Sequence, residues 1–379
     1  MYDLLIRRGR VLDPSQGFDA VADVAFERGR VARLAPGIAP DRAHAVYDAQ
    51  GLLVVPGLID LHVHVHWGVS HYGIDADLGC LAQGATTVVD AGSAGGYAYP
   101  SLKRYVIEGS RARVRAFLNI SYLGMIGDEV GELEDRRFIN RDLALRVGED
   151  ATVMGIKARM DRVGPLLATE PLERTLEVAR ALGKPVMIHI GSAERMRVPL
   201  EAILERLQAG DIVTHTYHGK DGGILDEEGK VRPGVWAARE RGVLFDVGHG
   251  MGSFAFEVAR RALDQGFVPD VISSDLHTYS LPGPALDLPT TLAKFLHLGM
   301  SLPEVVTRAT VIPARILGMQ GQIGTLAEGA EGDATLLRLE EGSFPLVDTL
   351  GITEMGRWML RVAGVIREGD FAARAYISH

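Results

Sequence analysis

The sequence predicts an α/β fold, a closed barrel of eight β/α units carrying a small β domain built from both ends of the chain. Three observations predict it. Short apolar segments alternate with helical stretches through the middle of the chain, the pattern of β/α units on a parallel sheet. Eight such units over about 265 residues match the length of a closed barrel. The first ~50 residues differ: short strand-like pieces punctuated by Gly, Asp and Pro, too few to bury both faces alone.

Residues 4–6, 9–12, 21–26 and 30–34 read as antiparallel strands, with Glu27-Arg28-Gly29 as a hairpin turn. Residues 54–64 read as one buried strand, interrupted by Pro56-Gly57 and ending in His62-Val63-His64. The remaining barrel strands are expected at 86–90, 114–118, 153–157, 185–189, 212–215, 243–247 and 271–275. A helix is expected over 169–182, where Leu172, Leu176 and Ala179 recur at helical spacing and Gly183 ends the run. Residues 334–339, 358–362 and 365–369 supply strands to pair with the N-terminal ones. The expected organisation is therefore a β domain from 1–55 plus 322–379 and a barrel from 56–321.

The 379 residues are 47% hydrophobic and 23% charged, with 45 glycines, an ordinary soluble composition suited to buried strands and tight turns. A net charge of −9 argues against nucleic acid and anionic membranes as partners, since both favour basic patches. No segment supplies the roughly 18 uninterrupted apolar residues of a membrane span. The N-terminus lacks a basic region followed by a long apolar stretch, so a cytoplasmic protein is expected. Cys80 is the single cysteine, which excludes an intrachain disulfide and a cysteine-rich zinc site; it reads as a small buried apolar residue.

The polar residues fall in a pattern. On a strand, positions i and i+2 share a face, so His62 and His64 aim two imidazoles at one point. Lys157 ends the fourth expected strand, His189 the fifth, His215 the sixth and Asp275 the eighth. The C-terminal ends of barrel strands surround one mouth, so these side chains converge there. All but Lys157 are ordinary zinc-ligand types. Burial of Lys157 would favour its neutral amine, which can form a Schiff base with a carbonyl or add carbon dioxide to become a carbamate. A carbamate has two oxygens and a negative charge, and can bridge two metal ions.

On these residues the chain resembles the amidohydrolase superfamily, the metal-dependent hydrolases that include dihydroorotase, urease, hydantoinase and N-acyl amino-acid deacetylases. The motifs are Pro56-Gly57-Leu58-Ile59-Asp60-Leu61-His62-Val63-His64 and Gly84-Ala85-Thr86-Thr87-Val88-Val89-Asp90, with residues 309–318 and 324–329 and Gly332-Asp333-Ala334 downstream. Residues 90–95, 155–159, 215–219 and 246–250 are most similar to the amidohydrolase/deacetylase group. The resemblance implies a distorted (β/α)8, TIM-like barrel with a flanking β-sandwich made from both termini. It implies one or two zinc ions, with His62 and His64 on the more buried ion and His189 and His215 on the other. Carboxylated Lys157 would bridge them, and Asp275 would contact the buried ion and shuttle the proton.

The expected function is a zinc-dependent hydrolase that cleaves an N-acyl amide, or an acyl ester, of a small carboxylic acid through a metal-bound hydroxide. A cyclic-amide hydrolase of the dihydroorotase type and a Schiff-base aldolase using Lys157 are the alternatives. An interaction protein on an inactive barrel would have lost ligands, whereas every candidate ligand position is filled. His249, between Gly248 and Gly250, is a candidate substrate contact, and Arg159, two residues beyond Lys157, a candidate carboxylate clamp. His66, His71 and Tyr72 crowd the first loop, and the glycine-rich run 219–233 reads as a lid or as plain surface. Gly92 to Gly96 lacks the lysine-serine ending of a phosphate loop. The expected partners are a small-molecule substrate and further copies of the chain in a homo-oligomer.

Overall fold

Apolar alternation at the N-terminus produces five strands: β1 (Tyr2–Asp13), β2 (Phe18–Glu27), β3 (Arg30–Ala35), β4 (Ala43–Asp48) and β5 (Leu53–Pro56). Seven more follow: β6 (Leu58–Val63), β7 (Ala85–Gly95), β8 (Arg113–Asn119), β9 (Val153–Arg159), β10 (Val186–His189), β11 (Ile212–Thr214) and β12 (Leu244–Asp246). The chain ends with β13 (Ala334–Val347), β14 (Thr353–Arg367) and β15 (Asp370–Arg374). This computed structural model describes residues 1–374; residues 375–379, the end of the 322–379 segment, lie outside the described residues.

Both termini share one eight-stranded sheet, in the order β15-β14-β13-β5-β1-β2-β3 with β4 also on β1. The hairpin at Glu27 turns through left-handed Arg28 (φ 51°) and Gly29 (φ 76°), and Phe26 then pairs with Val31 across it. Ile6, Val11, Val24, Phe26, Val54 and Leu336 pack together as its core. The other sheet holds β6 to β12 in sequence order, each pair parallel. Every residue of β6 and β7 is buried, as a parallel strand covered on both faces requires. Ile59, Leu61, Val89, Phe117, Met187 and Ile212 meet inside the curl, closed at one end by Ala314, Leu317 and Ile323.

Two expected strands differ. Residues 54–64 are two strands: β5 joins the terminal sheet, β6 starts the parallel one, and Gly57 lies between them with its N–H donating to the Asp333 carbonyl at 2.9 Å. Residues 271–275 form no strand. Val271 bridges Asp246 and Leu276 bridges Val63, so the segment spans the gap between β12 and β6 with isolated bridges only. Side chains occupy its bonding positions: Asp60 accepts from the Ser274 N–H at 3.0 Å and from its hydroxyl, and Asp275 turns out of register at φ 48°.

Helix Glu170–Leu182 buries Leu172, Thr175, Val178 and Ala179 and ends on left-handed Gly183 (φ 64°), one residue inside the expected stretch. Ile224 and Val231 pin 219–233 to the core. Cys80 is buried. No helix among the described residues is long and apolar enough to cross a membrane.

Candidate metal centre

His62 lies near the end of β6 and His64 just beyond it, and the Nε2 atoms of both stand 3.3 Å from Asp275 Oδ1. Asp275 is held there by backbone: its N–H donates to the His62 carbonyl at 2.8 Å, and the His64 N–H donates to the Leu276 carbonyl at 2.9 Å. Lys157 Nζ, fully buried, is 3.4 Å from His62 Nε2. His189 ends β10 and His215 follows β11, and His189 Nδ1 faces His215 Nε2 at 2.8 Å. The His215 and His62 ring centroids are 5.0 Å apart. The structure thus brings His62, His64, Lys157, His189, His215 and Asp275 into one cluster. His215 and Asp275 both hold left-handed φ (71° and 48°), a costly conformation that marks residues over-determined by their surroundings.

Outer partners settle which ring nitrogens are bare. The Thr214 hydroxyl donates to Asp246 at 2.6 Å, so its lone pair accepts from His62 Nδ1 at 2.9 Å, leaving His62 Nε2 bare. His215 Nδ1 donates to the Gly248 carbonyl at 2.7 Å, leaving Nε2 bare. Asp161 Oδ2 is 3.3 Å from His189 Nε2, which places the His189 proton there and bares Nδ1. Two bare nitrogens 2.8 Å apart repel unless a cation is shared between them. Asp275 Oδ1 is buried with no hydrogen-bond donor. His62, His215 and Asp275 each offer an atom within 4.8 Å of the others. Neutral nitrogens and an unmatched carboxylate oxygen on one point are a donor set that fits a divalent cation.

The charge states agree. Burial pushes His64 down to about 3 and His189 to about 4, the latter despite Asp161, and drives His62 and His215 well below the usual imidazole range. All four are electron-pair donors at neutral pH. Burial lowers Lys157 to about 7, against the pull of Asp275 and Asp246, so a neutral amine is accessible. Burial also raises Asp275 above the ordinary carboxylate range.

A cavity of about 300 Å³ opens over the cluster. Arg159, Arg162, Arg195 and Lys220 line it, with Asp128, Asp161 and Asp275 as its acids. Arg159 Nη1 bonds Glu132 at 2.9 Å, while its buried Nε makes no hydrogen bond and lies 3.9 Å from Asp161 Oδ1. Tyr72 also lines the cavity; His66 instead bonds Ser101 at 2.9 Å, and His71 packs on Tyr72 with ring centroids 4.3 Å apart. His249 is placed elsewhere. It is wholly buried, stacked on Phe254 at 4.6 Å and bonded to Lys294 at 2.7 Å, so the ring offered above as a substrate contact is spent on packing.

Asp161, His277, Arg195 and Lys220 were not singled out from sequence. His277 follows Asp275 by two residues, the spacing that relates His64 to His62, and Asp161 follows Lys157 by four at the same strand end. Arg195 sits on the one-turn helix Ala193–Met196 and Lys220 on a loop, both too short to carry a periodic pattern.

Residues 53–369 match the amidohydrolase family. A deacetylase of Agrobacterium fabrum is 34% identical over 337 residues, which covers 87% of this chain and 81% of that one. A deacetylase of Enterococcus faecalis is 32% identical over 379 residues, covering 97% and 98%. Among solved structures, an adenine deaminase superposes with a TM-score of 0.89 at 31% identity, covering 98% and 99% of the two chains. A dihydroorotase does so with a TM-score of 0.88 at 28% identity, covering 98% and 100%.

Proposed function

The chain belongs to the amidohydrolase family, and from that premise we propose a zinc-dependent hydrolase that removes the acyl group from an N-acyl amide, or an acyl ester, of a small carboxylic acid. In this reading 56–321 is the catalytic (β/α)8 barrel and 1–55 with 322–379 a flanking β-sandwich domain. The observation that carries it is the convergence of bare imidazole nitrogens and the unmatched Asp275 oxygen beneath a cavity lined by Arg159, Arg162, Arg195 and Lys220. The names of the two deacetylases support the acyl group.

His62, His64 and Asp275 would hold one ion and His189 and His215 a second. The neutral Lys157 amine would add carbon dioxide, forming a C–N bond and releasing one proton to solvent, and the resulting carbamate would supply a negatively charged oxygen donor to the metal centre. When bound, the metal acidifies water and polarises the scissile carbonyl. The Asp275 carboxylate takes the proton of the attacking water and returns it to the departing nitrogen or oxygen. Burial favours its protonated form, which suits a group that holds a proton between two transfers. The cationic side chains would orient the carboxylate of the substrate, Arg159 through an Nε that makes no hydrogen bond within the protein.

The test is a panel of N-acyl amino acids, acylated hydroxy acids and cyclic ureides, with metal analysis, on the native protein and Asp275→Asn. The variant is expected to retain metal while turnover falls about 10²- to 10⁴-fold; normal turnover would remove Asp275 as the base. The dihydroorotase structure favours a second reading, opening of a cyclic amide. A ring substrate is gripped by backbone rather than a carboxylate clamp, so Arg159→Met raises KM steeply for acyl acids and little for cyclic ureides.

A further inference from the structure

Lys294, on helix Leu288–His297, is wholly buried away from the cavity. Its Nζ lies 2.7 Å from His249 Nε2, 2.9 Å from the Pro284 carbonyl and 2.7 Å from the Val347 carbonyl. His249 Nδ1 faces the Gly250 carbonyl at 2.9 Å, so that nitrogen carries the ring proton and Nε2 accepts. Nζ therefore donates to three acceptors, which takes all three hydrogens of an ammonium. A buried ammonium is costly where an apolar side chain would fill the same space.

What it holds explains its presence. Residues 248–250 leave β12 and touch the centre twice. The Gly248 carbonyl accepts the His215 Nδ1 proton at 2.7 Å. Gly250 lies so close to Asp275 that a Cβ there would overlap Oδ2. From the other side, the tip of the β13–β14 hairpin brackets the same loop. The Thr349 N–H donates to the Phe254 carbonyl at 2.9 Å, and Asp348 accepts the Phe256 N–H at 3.1 Å. Lys294 thus ties the terminal sheet, through Val347, to the segment carrying His249.

We infer that Lys294 and His249 form a latch that positions His215 and Asp275, by fixing the 248–250 backbone on which that ring and that carboxylate rest. Both are positioning residues, and neither touches substrate. The inference rests on the metal-centre reading above.

The test compares the native protein with Lys294→Met, His249→Leu and the double variant. Lys294→Met strands His249 Nε2 and the Pro284 and Val347 carbonyls, and His249→Leu strands one Lys294 hydrogen and the Gly250 carbonyl. The double removes the buried charge and the unmatched ring nitrogen together, leaves only the backbone carbonyls unmatched, and so recovers part of the thermal midpoint. Zinc alone is the probe, titrated into metal-depleted protein against a chromophoric chelator, alongside the thermal midpoint. Zinc affinity is expected to fall about 10- to 100-fold in all three variants, and to stay low in the double after its midpoint recovers. His249→Gln, which keeps an acceptor toward Lys294 and a donor toward the Gly250 carbonyl, is expected to retain affinity. Affinity that recovers in step with the midpoint would make the pair merely structural and overturn the inference. Native protein that binds zinc no better than its variants sinks the latch alone. Native protein that binds no zinc sinks the metal centre, and the latch with it. If Lys294→Met does not fold, His249→Leu against His249→Gln carries the same decision.

Discussion

Asp161 Oδ2 is 3.3 Å from His189 Nε2 and is the group that turns the opposite nitrogen of that ring toward His215. Burial works against its ionisation, but His189, Arg159 and Arg195 outweigh that and hold it well below the usual carboxylate range. A charged acceptor on the outer nitrogen of a ligand fixes the tautomer. Asp161→Ala frees the His189 proton to sit on Nδ1, where it blocks a cation. The expected outcome is a metal affinity about 10- to 100-fold weaker in chelator competition, with the fold intact by circular dichroism. Unchanged affinity would mean that His189 is oriented by packing instead. At this scale the sequence was legible wherever a residue's direction followed from strand geometry. His62 and His64 meet at Asp275 because alternation on a strand leaves little choice. His249 shows the limit: its neighbours Gly248 (φ 49°) and Gly250 (φ 51°) relax the backbone, and direction was then set by Lys294, 45 residues away.

The join between β5 and β6 shows what pattern alone cannot resolve. Val54 to His64 is one apolar run broken only by Pro56-Gly57, the break at which the expected domain boundary falls, and hydrophobicity alone reads it as a single strand. Tertiary packing divides it, since β5 pairs with β13 and β6 with β7. Gly57 makes the division sterically. A Cβ there would overlap Thr86 Oγ1 and come within 2.8 Å of Asp333 Cβ. Asp333 cannot retreat, because it is bonded to Arg113 at 2.6 Å and to Arg367 at 3.1 Å. Gly57→Ala is therefore expected to destabilise by about 1–3 kcal/mol, the usual result of overpacking a close-fitted site. The thermal midpoint measures it, and an unchanged midpoint would show that the two sheets slide freely past each other. Residues 271–275 resemble a strand for the same reason, apolar content, while the Asp60 carboxylate that occupies the Ser274 N–H comes from far away in sequence.

The whole molecule concentrates neutral imidazoles, and that has a consequence for stability against pH. The alternation of the middle and the punctuated ends were enough to foresee a parallel sheet in sequence order and a shared terminal sheet, because both follow from local patterning. How many charges the closed structure would strip of water was not legible, since it depends on the final packing. Burial lowers His62, His64, His189, His215, His218, His249 and His277 below 6.5, to about 3 for His64 and about 4 for His189, His218 and His277. Between those values and 6.5 the unfolded chain binds protons that the folded chain refuses. Their contribution is therefore fully present above pH 6.5 and lost as pH falls toward 4. Burial raises Asp60 to about 7, Asp246 to about 6 and Asp275 above its usual range, and these groups act in the opposite sense over the same window. The imidazoles outnumber them, so the net slope follows the histidines, at about 1.4 kcal/mol per pH unit for each net proton. Metal-depleted protein should thus show a urea midpoint that falls steadily from pH 6.5 to pH 5, measured by tryptophan fluorescence. Added zinc competes with protons for the same nitrogens, so the stabilisation it gives should shrink over the same interval. A midpoint that stays flat in the metal-depleted protein would mean that these rings are hydrated and already charged in the folded state, which is incompatible with a cluster of bare nitrogens.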